Sequence, residues 1–187
     1  MSEPNAVTCA AFLLCAFLSA GFLHTLWLKS AWSQRFAFPL DLGMTVRGRR
    51  IFGENKMVRG FMVIAPAAGI SFPILAKLFH GMWTLSPMQY AGLGFWAGLG
   101  FMSGELPNSF IKRQLDIPPG SAPNSWMAKC VFFLIDRTDS ILGMLLFLRL
   151  IVPVPRQTWI YVLVVGMGIH AGFSFAMFRL GIKARPL

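Results

Sequence analysis

Residues 6–28 read AVTCAAFLLCAFLSAGFLHTLWL, a run of 23 residues without a formally charged side chain. A bilayer core of about 30 Å is crossed by roughly 20 consecutive apolar residues in an α-helix. The run therefore predicts a transmembrane helix. Four more stretches of similar character follow it, at residues 60–79, 85–104, 130–152 and 157–178. We predict an all-α polytopic membrane protein with about five transmembrane helices, formed by residues 1–187 as a single integral membrane domain.

The composition agrees with this prediction and excludes an ordinary soluble domain. Of the 187 residues, 56% are hydrophobic and 13% are charged, and the mean hydropathy is +0.62. Soluble domains carry about 25% charged residues. The three cysteines, Cys9, Cys15 and Cys130, form no C-x-x-C pair, so we expect neither a disulfide framework nor a zinc site. No Lys or Arg precedes the first apolar run, which argues against a cleaved signal peptide.

The distribution of charge predicts the orientation in the membrane. The chain has 17 Lys and Arg against 7 Asp and Glu, and an external N-terminus places 14 of the 17 cations on the cytoplasmic side. Cytoplasmic loops are enriched in Lys and Arg, so we predict an external N-terminus and a cytoplasmic C-terminus, in the cytoplasmic membrane. Anionic lipid explains the positive charge, and nucleic acid is not expected as a partner. Six of the seven acids fall on the same side, which predicts a polar site facing the cytoplasm.

Two predicted cytoplasmic loops, at about 29–59 and 105–129, are long compared with the other connections. Long ordered loops in compact proteins are usually functional. The first loop mixes glycine turns with aromatic residues in the segments FPLDLG, RGRR and FGENK, which favours an ordered conformation. The sequence has no convincing internal repeat, so it gives little support to an inverted-repeat transporter.

The segment FFLIDRTDS at 132–140 carries the strongest chemical signal. Asp136 and Asp139 are three residues apart, so on a helix both carboxylates lie on one face. Acids placed toward the membrane centre cost about 2.5–3.5 kcal/mol each on insertion scales, and a bound divalent metal would compensate this cost. The structural alternative is an Asp and Arg cluster that only holds helices together, although one ion pair would need only one of the two aspartates.

Basic residues in both loops can bind phosphate. Lys112 and Arg113 follow Ser109 and offer a point charge and a planar fork, which both suit phosphate oxygens. Taken alone they could equally be charges that anchor the helix at the interface. The first loop holds five more cations, which either lie against anionic lipid or bind a lipid phosphate. They are Arg47, Arg49, Arg50, Lys56 and Arg59.

The third apolar run contains closely spaced glycines, and the histidines are scattered. Glycines at 92, 94, 98, 100 and 104 include two G-x-x-x-G steps, which allow helices to approach closely. We expect packing within the chain, and a homodimer is left open. The three histidines share no metal-ligand spacing, and only His170, which lies within the fifth apolar run, is a candidate site residue.

These motifs together resemble the CDP-archaeol synthases, small relatives of the phosphatidate cytidylyltransferases. The first loop resembles the family in Pro39-Leu40-Asp41 and in RGRRIFGENKMVRG, and the second resembles it in Gly104, an acid, SFIKR and a Pro-Gly turn. The broader cytidylyltransferase signature is similar to Ser109, Lys112 and Arg113 followed by Asp136-Arg137-Thr138-Asp139. The resemblance runs from about Pro39 to the end of the chain.

The chain departs from the family pattern at three points. Glu105 stands where the family usually has Asp after the glycine, which keeps an oxygen ligand but lengthens it. Ser174 stands where the family has Asn after the histidine of the last helix, and Leu115 precedes Asp116 where the signature has Lys.

The resemblance implies a CTP-dependent cytidylyltransferase that converts a membrane lipid phosphate, phosphatidate or a dialkyl or digeranylgeranyl glycerol phosphate, to a CDP-lipid and pyrophosphate. Asp136, Asp139 and Glu105 would hold Mg²⁺, and Asp136, Asp139, Lys112 and Arg113 would be catalytic. The predicted substrate-binding residues are Ser109, Asp41, His170 and the five cations of the first loop. Two alternatives remain open at this point. One is a small transporter with an intramembrane cation site at the aspartates, and the other is a CTP-dependent polyprenol or phytol kinase.

Overall fold

The structure, a computed structural model, describes residues 3–181 and contains five long helices. They are α1 (Ala6–Lys29), α3 (Val58–Leu78), α4 (Pro87–Gln114), α5 (Trp126–Arg149) and α6 (Arg156–Arg179). A short helix, α2 (Ala31–Gln34), and a hairpin of β1 (Thr45–Val46) and β2 (Arg49–Arg50) lie in the first loop. The helix starts follow local signals: Asn5 caps α1, and Ser86 and Gln89 form a capping box on α4.

The long helices form a closed ring in chain order. Helix α1 packs against α3 and α6, α4 packs between α3 and α5, and α5 contacts α6. The aromatic ring of Phe12 on α1 is fully buried, and it meets Phe72, Phe79 and Trp83 edge-on, with centroid distances of 4.9 to 5.9 Å. Burial of such large side chains is the main stabilising contribution of this core.

Glycines let α4 approach both of its neighbours, as the sequence predicts. A Cβ on Gly98 would lie 2.6 Å from the Cα of Ala65 on α3, and a Cβ on Gly100 would lie 2.6 Å from the Cβ of Phe147 on α5. One turn further along α4, Gly104 lies against Gly143 and against the backbone carbonyl of Asp139. This close approach brings the last three turns of α4 directly opposite the polar part of α5.

The boundaries of α4 and α5 differ from the predicted ones. Helix α4 continues ten residues past the predicted end at 104, to Gln114, and α5 begins at Trp126 rather than at 130. Much of the predicted loop 105–129 is therefore helical, and the connection covers only residues 115–125. The prediction ended the helix where charged residues begin. The helix continues because Glu105, Asn108 and Lys112 have polar partners on α5.

Three of the long helices, α1, α3 and α6, are long and apolar enough to cross a membrane. Helices α4 and α5 have the necessary length, but they carry the charged residues Glu105, Lys112, Asp136, Arg137 and Asp139. The predicted class, a mostly helical integral membrane protein, agrees with this architecture.

The first loop is folded onto itself between α1 and α3. The amide of Leu40 donates to the carbonyl of Lys56 (2.7 Å), and the amide of Val58 donates to the carbonyl of Phe38 (3.1 Å). At the hairpin turn, Arg47 and Gly48 both have positive φ, 53° and 75°, as a tight two-residue hairpin requires. The loop therefore leaves and re-enters the bundle at adjacent points and holds Lys56 at the start of α3.

Candidate active site

The polar residues of α4 and α5 face each other across the glycine contact. Glu105, Asn108 and Lys112 lie three and four residues apart, which places them on one face of α4. Opposite them lie Asp136, Asp139 and Ser140 of α5. Together these six residues form what we call the acidic cluster.

Asn108 joins the two aspartates. Its side-chain nitrogen donates to Oδ1 of Asp136 (2.6 Å) and to Oδ2 of Asp139 (2.8 Å). Lys112 forms an ion pair with Asp136. The structure thus places both carboxylates on one face of α5, as their spacing predicts, and directs one oxygen of each toward the same atom.

Glu105 extends the acidic cluster toward the first loop and toward α6. It forms an ion pair with Lys56, and it accepts a hydrogen bond from the hydroxyl of Ser140 (2.8 Å). Ser140 also donates its backbone amide to Asp139 (2.7 Å), and His170 of α6 lies close enough to interact electrostatically with Glu105. Burial is the largest single influence on Lys56 and would lower its pKa, but Glu105, Asp139 and Asp136 together outweigh it and raise the pKa of Lys56, so this ammonium stays protonated.

The acidic cluster has oxygen donors that suit a magnesium ion. Within residues 3–181, no group of three or more His, Cys, Asp or Glu side chains is arranged to hold a metal ion. The side-chain oxygen of Asn108, however, is buried and has no hydrogen-bond partner among the described residues. An amide flip exchanges this oxygen with the nitrogen that now meets both aspartates. After such a flip Asp136, Asp139 and Asn108 would offer three oxygen ligands of the hard kind that Mg²⁺ prefers.

A groove of about 410 Å³ opens beside the acidic cluster. It is lined by residues 115–118 and 122–125 of the second loop and by Ala128 and Phe132 of α5. The ammonium of Lys112 lies 5.1 Å from the centroid of the Phe132 ring. Lys112 of the acidic cluster thus lies near one lining residue of the groove, and the side chain of Asp136 is 43% exposed.

Asp41 occupies a different environment from the acidic cluster. It is 1% exposed and accepts hydrogen bonds from the amides of Gly43 (3.1 Å), Phe52 (3.0 Å) and Gly53 (3.0 Å) and from the guanidinium of Arg50. Burial alone would raise the pKa of Asp41, but the Arg50 bond and the three amides hold it well below its usual range. The structure thus places this predicted substrate-binding residue inside the first loop, with its oxygens bound to the loop's own donors.

The predicted basic residues do not form one patch. Lys112 joins the acidic cluster, whereas the adjacent Arg113 lies against Gly53 and Pro119, because successive residues of a helix point about 100° apart. Arg49 pairs with Asp116 and with the carbonyl of Gln114. The other predicted residues are also separated: Arg50 binds Asp41, Lys56 binds Glu105, Arg47 is exposed in the hairpin turn, Arg59 is half-buried in the first turn of α3, and Ser109 is buried on α4.

Comparison with known proteins decides the family. The sequence model of the CarS-like family, described as CDP-archaeol synthase, matches residues 30–187. The chain belongs to this family. Among relatives of the CDP-archaeol synthase family, the CDP-archaeol synthase of Saccharolobus solfataricus is 29% identical over 150 residues, which cover 79% of this chain and 81% of the relative. The CDP-archaeol synthase of Pyrococcus furiosus is 28% identical over 149 residues, covering 79% and 83%.

A solved structure shares the fold of this CDP-archaeol synthase family member. It is described as an intramembrane enzyme for archaeal membrane lipids biosynthesis, and it aligns with a TM-score of 0.64 over 91% of this chain and 94% of its own, at 19% identity. The likeness shows that the two chains share a fold.

Membership of the CDP-archaeol synthase family confirms the predicted enzyme class, a cytidylyltransferase of lipid biosynthesis. It does not favour the transporter or the lipid kinase that the sequence left open.

Sequence reasoning missed Asn108 and Ser140, which connect the three acids. The signal for Asn108 was present, because it stands three residues after Glu105 and four before Lys112. It would have been found if the helix had been extended past 104. Ser140 had no comparable signal, since its role depends on the position of Glu105 on another helix.

Proposed function

We propose that this chain transfers the cytidylyl group of CTP to the phosphate of a membrane lipid, phosphatidate or a dialkyl or digeranylgeranyl glycerol phosphate. The observation that carries the proposal is the acidic cluster in a member of the CDP-archaeol synthase family. Two carboxylates there converge on one amide beside the ammonium of Lys112. Metal-binding carboxylates beside a cation are what a nucleoside triphosphate needs, because phosphoryl chemistry depends mostly on positioning and charge neutralisation.

The proposed reaction needs no protein nucleophile. An oxygen of the lipid phosphate attacks the α-phosphorus of CTP and forms the new P–O bond. The bond from the α-phosphorus to the oxygen that bridges it to the β-phosphorus breaks, and pyrophosphate leaves with that electron pair. The lipid phosphate is already an anion at neutral pH, so no general base has to remove a proton from it.

Each side chain of the acidic cluster has a proposed role. Asp136, Asp139 and Asn108 would hold Mg²⁺, with Glu105 beside them. When bound, the ion neutralises charge on the triphosphate and on the leaving pyrophosphate. Lys112 binds phosphate oxygens from the groove side once its partner Asp136 is engaged. Ser140 and Lys56 orient Glu105, and His170 adds a polar group from α6.

The remaining predicted residues line or support the same end of the bundle. Arg113 lies between the first and second loops, near the groove that we propose for the nucleoside of CTP. Ser109 is buried one residue after Asn108. The first-loop cations Arg47 and Arg49 are exposed beside this end, where they attract anionic lipid and nucleotide.

The proposal includes the arrangement in the membrane. All five long helices of a single membrane domain cross the bilayer, with the N-terminus outside and the C-terminus in the cytoplasm. The acidic cluster then faces the cytoplasm, where CTP is available. Four glycines of α4 are covered within the chain, Gly94 and Gly98 by α3 and Gly100 and Gly104 by α5, so the bundle needs no second copy to bury them.

The test is incubation of detergent-purified protein with Mg²⁺, α-labelled CTP and either phosphatidate or a dialkyl glycerol phosphate. Label in the lipid fraction with release of pyrophosphate supports the proposal, and the preferred lipid identifies the substrate. Asp139→Asn is expected to give no labelled lipid. Release of CDP with an unlabelled phosphorylated lipid would instead identify a kinase, and intact CTP with both lipids would overturn the enzymatic proposal.

A further inference from the structure

Arg137 is a buried cation that the acidic cluster does not use. It is 8% exposed, and one terminal nitrogen donates to the carbonyl of Phe133 (2.9 Å). Its guanidinium carbon lies 3.5 Å from the centroid of the Phe133 ring. The Nε atom is buried and has no hydrogen-bond partner among the residues that the structure describes.

The acids next to Arg137 in sequence are occupied by other donors. Asp136 binds Lys112 and Asn108, and Asp139 binds Asn108 and Ser140. None of the ion pairs found within residues 3–181 includes Arg137. A buried charge without a directly bound counter-charge is costly unless an anion reaches it. Arg137 interacts electrostatically with Asp136, but it has no directly bound acid, and its Nε has no acceptor among the described residues.

The position of Arg137 indicates where that ligand enters. It stands one helical turn before Ile141, whose side chain lies against Gly166 of α6. Helices α5 and α6 are joined by residues 150–155 and contact each other, so they are antiparallel neighbours. Arg137 thus lies at the level of the turn after Gly166, which contains His170.

The surface beside Arg137 is apolar and exposed. Phe133, which covers the guanidinium, is 46% exposed, and Leu134 is 55% exposed. Large exposed apolar side chains on a membrane protein contact acyl chains. A ligand that approaches Arg137 through this surface must combine an apolar body with an anionic head.

We propose that Arg137 binds the phosphate monoester of a membrane-embedded lipid that enters between α5 and α6, an inference that rests on the proposed function. The guanidinium fork is suited to two phosphate oxygens at once. The neighbouring Asp136 and Asp139 lie on the side of α5 that faces α4. The attacking phosphate and the nucleotide would then approach one turn of α5 from its two sides.

In the first loop Arg59, like Arg137, has a buried side-chain nitrogen without a partner among the described residues, but the residue as a whole is less buried. Three other cations of this loop are already paired, Arg50 with Asp41, Lys56 with Glu105 and Arg49 with Asp116. These side chains would have to break existing ion pairs to bind a lipid phosphate, whereas Arg137 would not.

The experiment compares Arg137→Gln and Arg137→Lys with the wild type. The matched control is Arg149→Gln, on the same helix but at its opposite end. We expect Arg137→Gln to raise KM for the lipid phosphate about 10- to 100-fold, the range for loss of a charged hydrogen-bonding group. Arg137→Lys should raise it less, because a point charge replaces the fork. KM for CTP should change less than about threefold in both variants, and Arg149→Gln should leave both constants unchanged.

A binding measurement separates this inference from the proposed function. Native mass spectrometry of the detergent-solubilised protein with dialkyl glycerol phosphate, without CTP, should show binding to wild type and to Asp139→Asn and weakened binding to both Arg137 variants. Diacylglycerol, which lacks the phosphate, should not distinguish them. If Arg137→Gln does not fold, as judged by thermal unfolding, the same measurements are made with Arg137→Lys.

Two results distinguish failure of the Arg137 site from failure of the proposed function. In the first result, the wild type labels the lipid, and the folded Arg137 variant has an unchanged KM for the lipid and unchanged lipid binding. This result would overturn the Arg137 site and leave the proposed function standing. Arg137-dependent lipid phosphate binding without labelling by the wild type would support the site and overturn the proposed function.

Discussion

Asp41 and the two aspartates of the acidic cluster receive their hydrogen bonds from different kinds of donor. Asp41 takes its hydrogen bonds from its own loop, mainly from backbone amides that cannot move without unfolding that loop. Asp136 and Asp139 take theirs from Asn108, Lys112 and Ser140, and the first two of these belong to another helix. Asp41 is 1% exposed, whereas the side chain of Asp136 is 43% exposed.

The difference identifies which acids can exchange partners. A carboxylate held by backbone amides stabilises one loop conformation and has no free oxygen to offer. A carboxylate held by the ends of long or rotatable side chains can release them to a metal ion or a phosphate group. We therefore assign Asp41 to loop architecture and the acidic cluster to chemistry, and the following predictions test that assignment.

The largest effect is expected from Asp139→Asn. Loss of the charge removes a proposed metal ligand but keeps the shape and an oxygen, so turnover should fall by about 10³-fold or more. The free energy of unfolding should change little. Lipid labelling and thermal unfolding in detergent measure the two quantities, and an active variant would break the assignment of the acidic cluster to chemistry.

The next largest effect is expected from Gly104→Ala. The new Cβ would collide with the carbonyl of Asp139 and lie 3.0 Å from the Cα of Gly143, so α4 and α5 must separate. Displacing catalytic groups by about 1 Å can cost roughly 10²-fold in rate, and overpacking typically costs about 1–3 kcal/mol of stability.

Gly92→Ala is the matched control for that change. It lies on the same helix, and nothing is within 4 Å of a Cβ placed there. Activity should be unchanged, and the helix should gain up to about 1 kcal/mol from the better helix former. Equal activity of the two glycine variants would show that the acidic cluster works even when α4 and α5 are further apart. This result would contradict its assignment to chemistry.

Asp41→Ala should affect stability rather than chemistry. Removing the acid leaves Arg50 and three amides without their acceptor, and breaking a buried ion pair typically costs about 3–5 kcal/mol. Thermal or chemical unfolding measures this loss. The rate per folded molecule should fall far less than in Asp139→Asn, and a comparable fall at unchanged stability would place Asp41 in the chemistry instead.

The lowered pKa of Asp41 predicts a pH dependence of stability. Because its folded pKa lies below the unfolded value of about 3.9, its contribution is complete above that value and is lost as pH falls below it. Between pH 7 and pH 5 the contribution should be constant. Below about pH 4 the wild type should lose stability more steeply than Asp41→Asn, and parallel curves would contradict the assignment.

The smallest effect is expected from Asp116→Asn. Asp116 pairs with Arg49, and their side chains are 67% and 43% exposed. Exposed ion pairs contribute about 0–1 kcal/mol, so unfolding should shift by less than 1 kcal/mol. A larger loss would show that the contact between the first and second loops, like Asp41, is part of the loop architecture.

How well the sequence predicts each part depends on the range of the interactions involved. The predicted helix 6–28 agrees within one residue with Ala6–Lys29, and 157–178 agrees with Arg156–Arg179, because a long apolar run needs only its own composition to become a membrane helix. Helix α4 extends ten residues beyond the predicted transmembrane segment 85–104, because Glu105, Asn108 and Lys112 have polar partners on α5.

The same contrast holds for the site. The spacing of Asp136 and Asp139 predicted their common face, since three residues on a helix determine it. The adjacent cations Lys112 and Arg113 were expected to act together, yet only Lys112 meets the acidic cluster. The five cations of the first loop were expected to form one basic segment, and their separate partners depend on how the loop folds over the bundle.

The sequence alone determined the membrane class, the helical periodicity and the motifs of the CDP-archaeol synthase family, because these depend on local composition and on spacing along one helix. Tertiary structure decided that Asn108 joins the two aspartates, that Asp41 is enclosed by its own loop, and that Arg137 is buried without a paired acid. Each of these depends on which helix packs against which and at what distance. In this protein that distance is set by glycines, whose missing side chains allow α4 and α5 to approach until their polar groups meet.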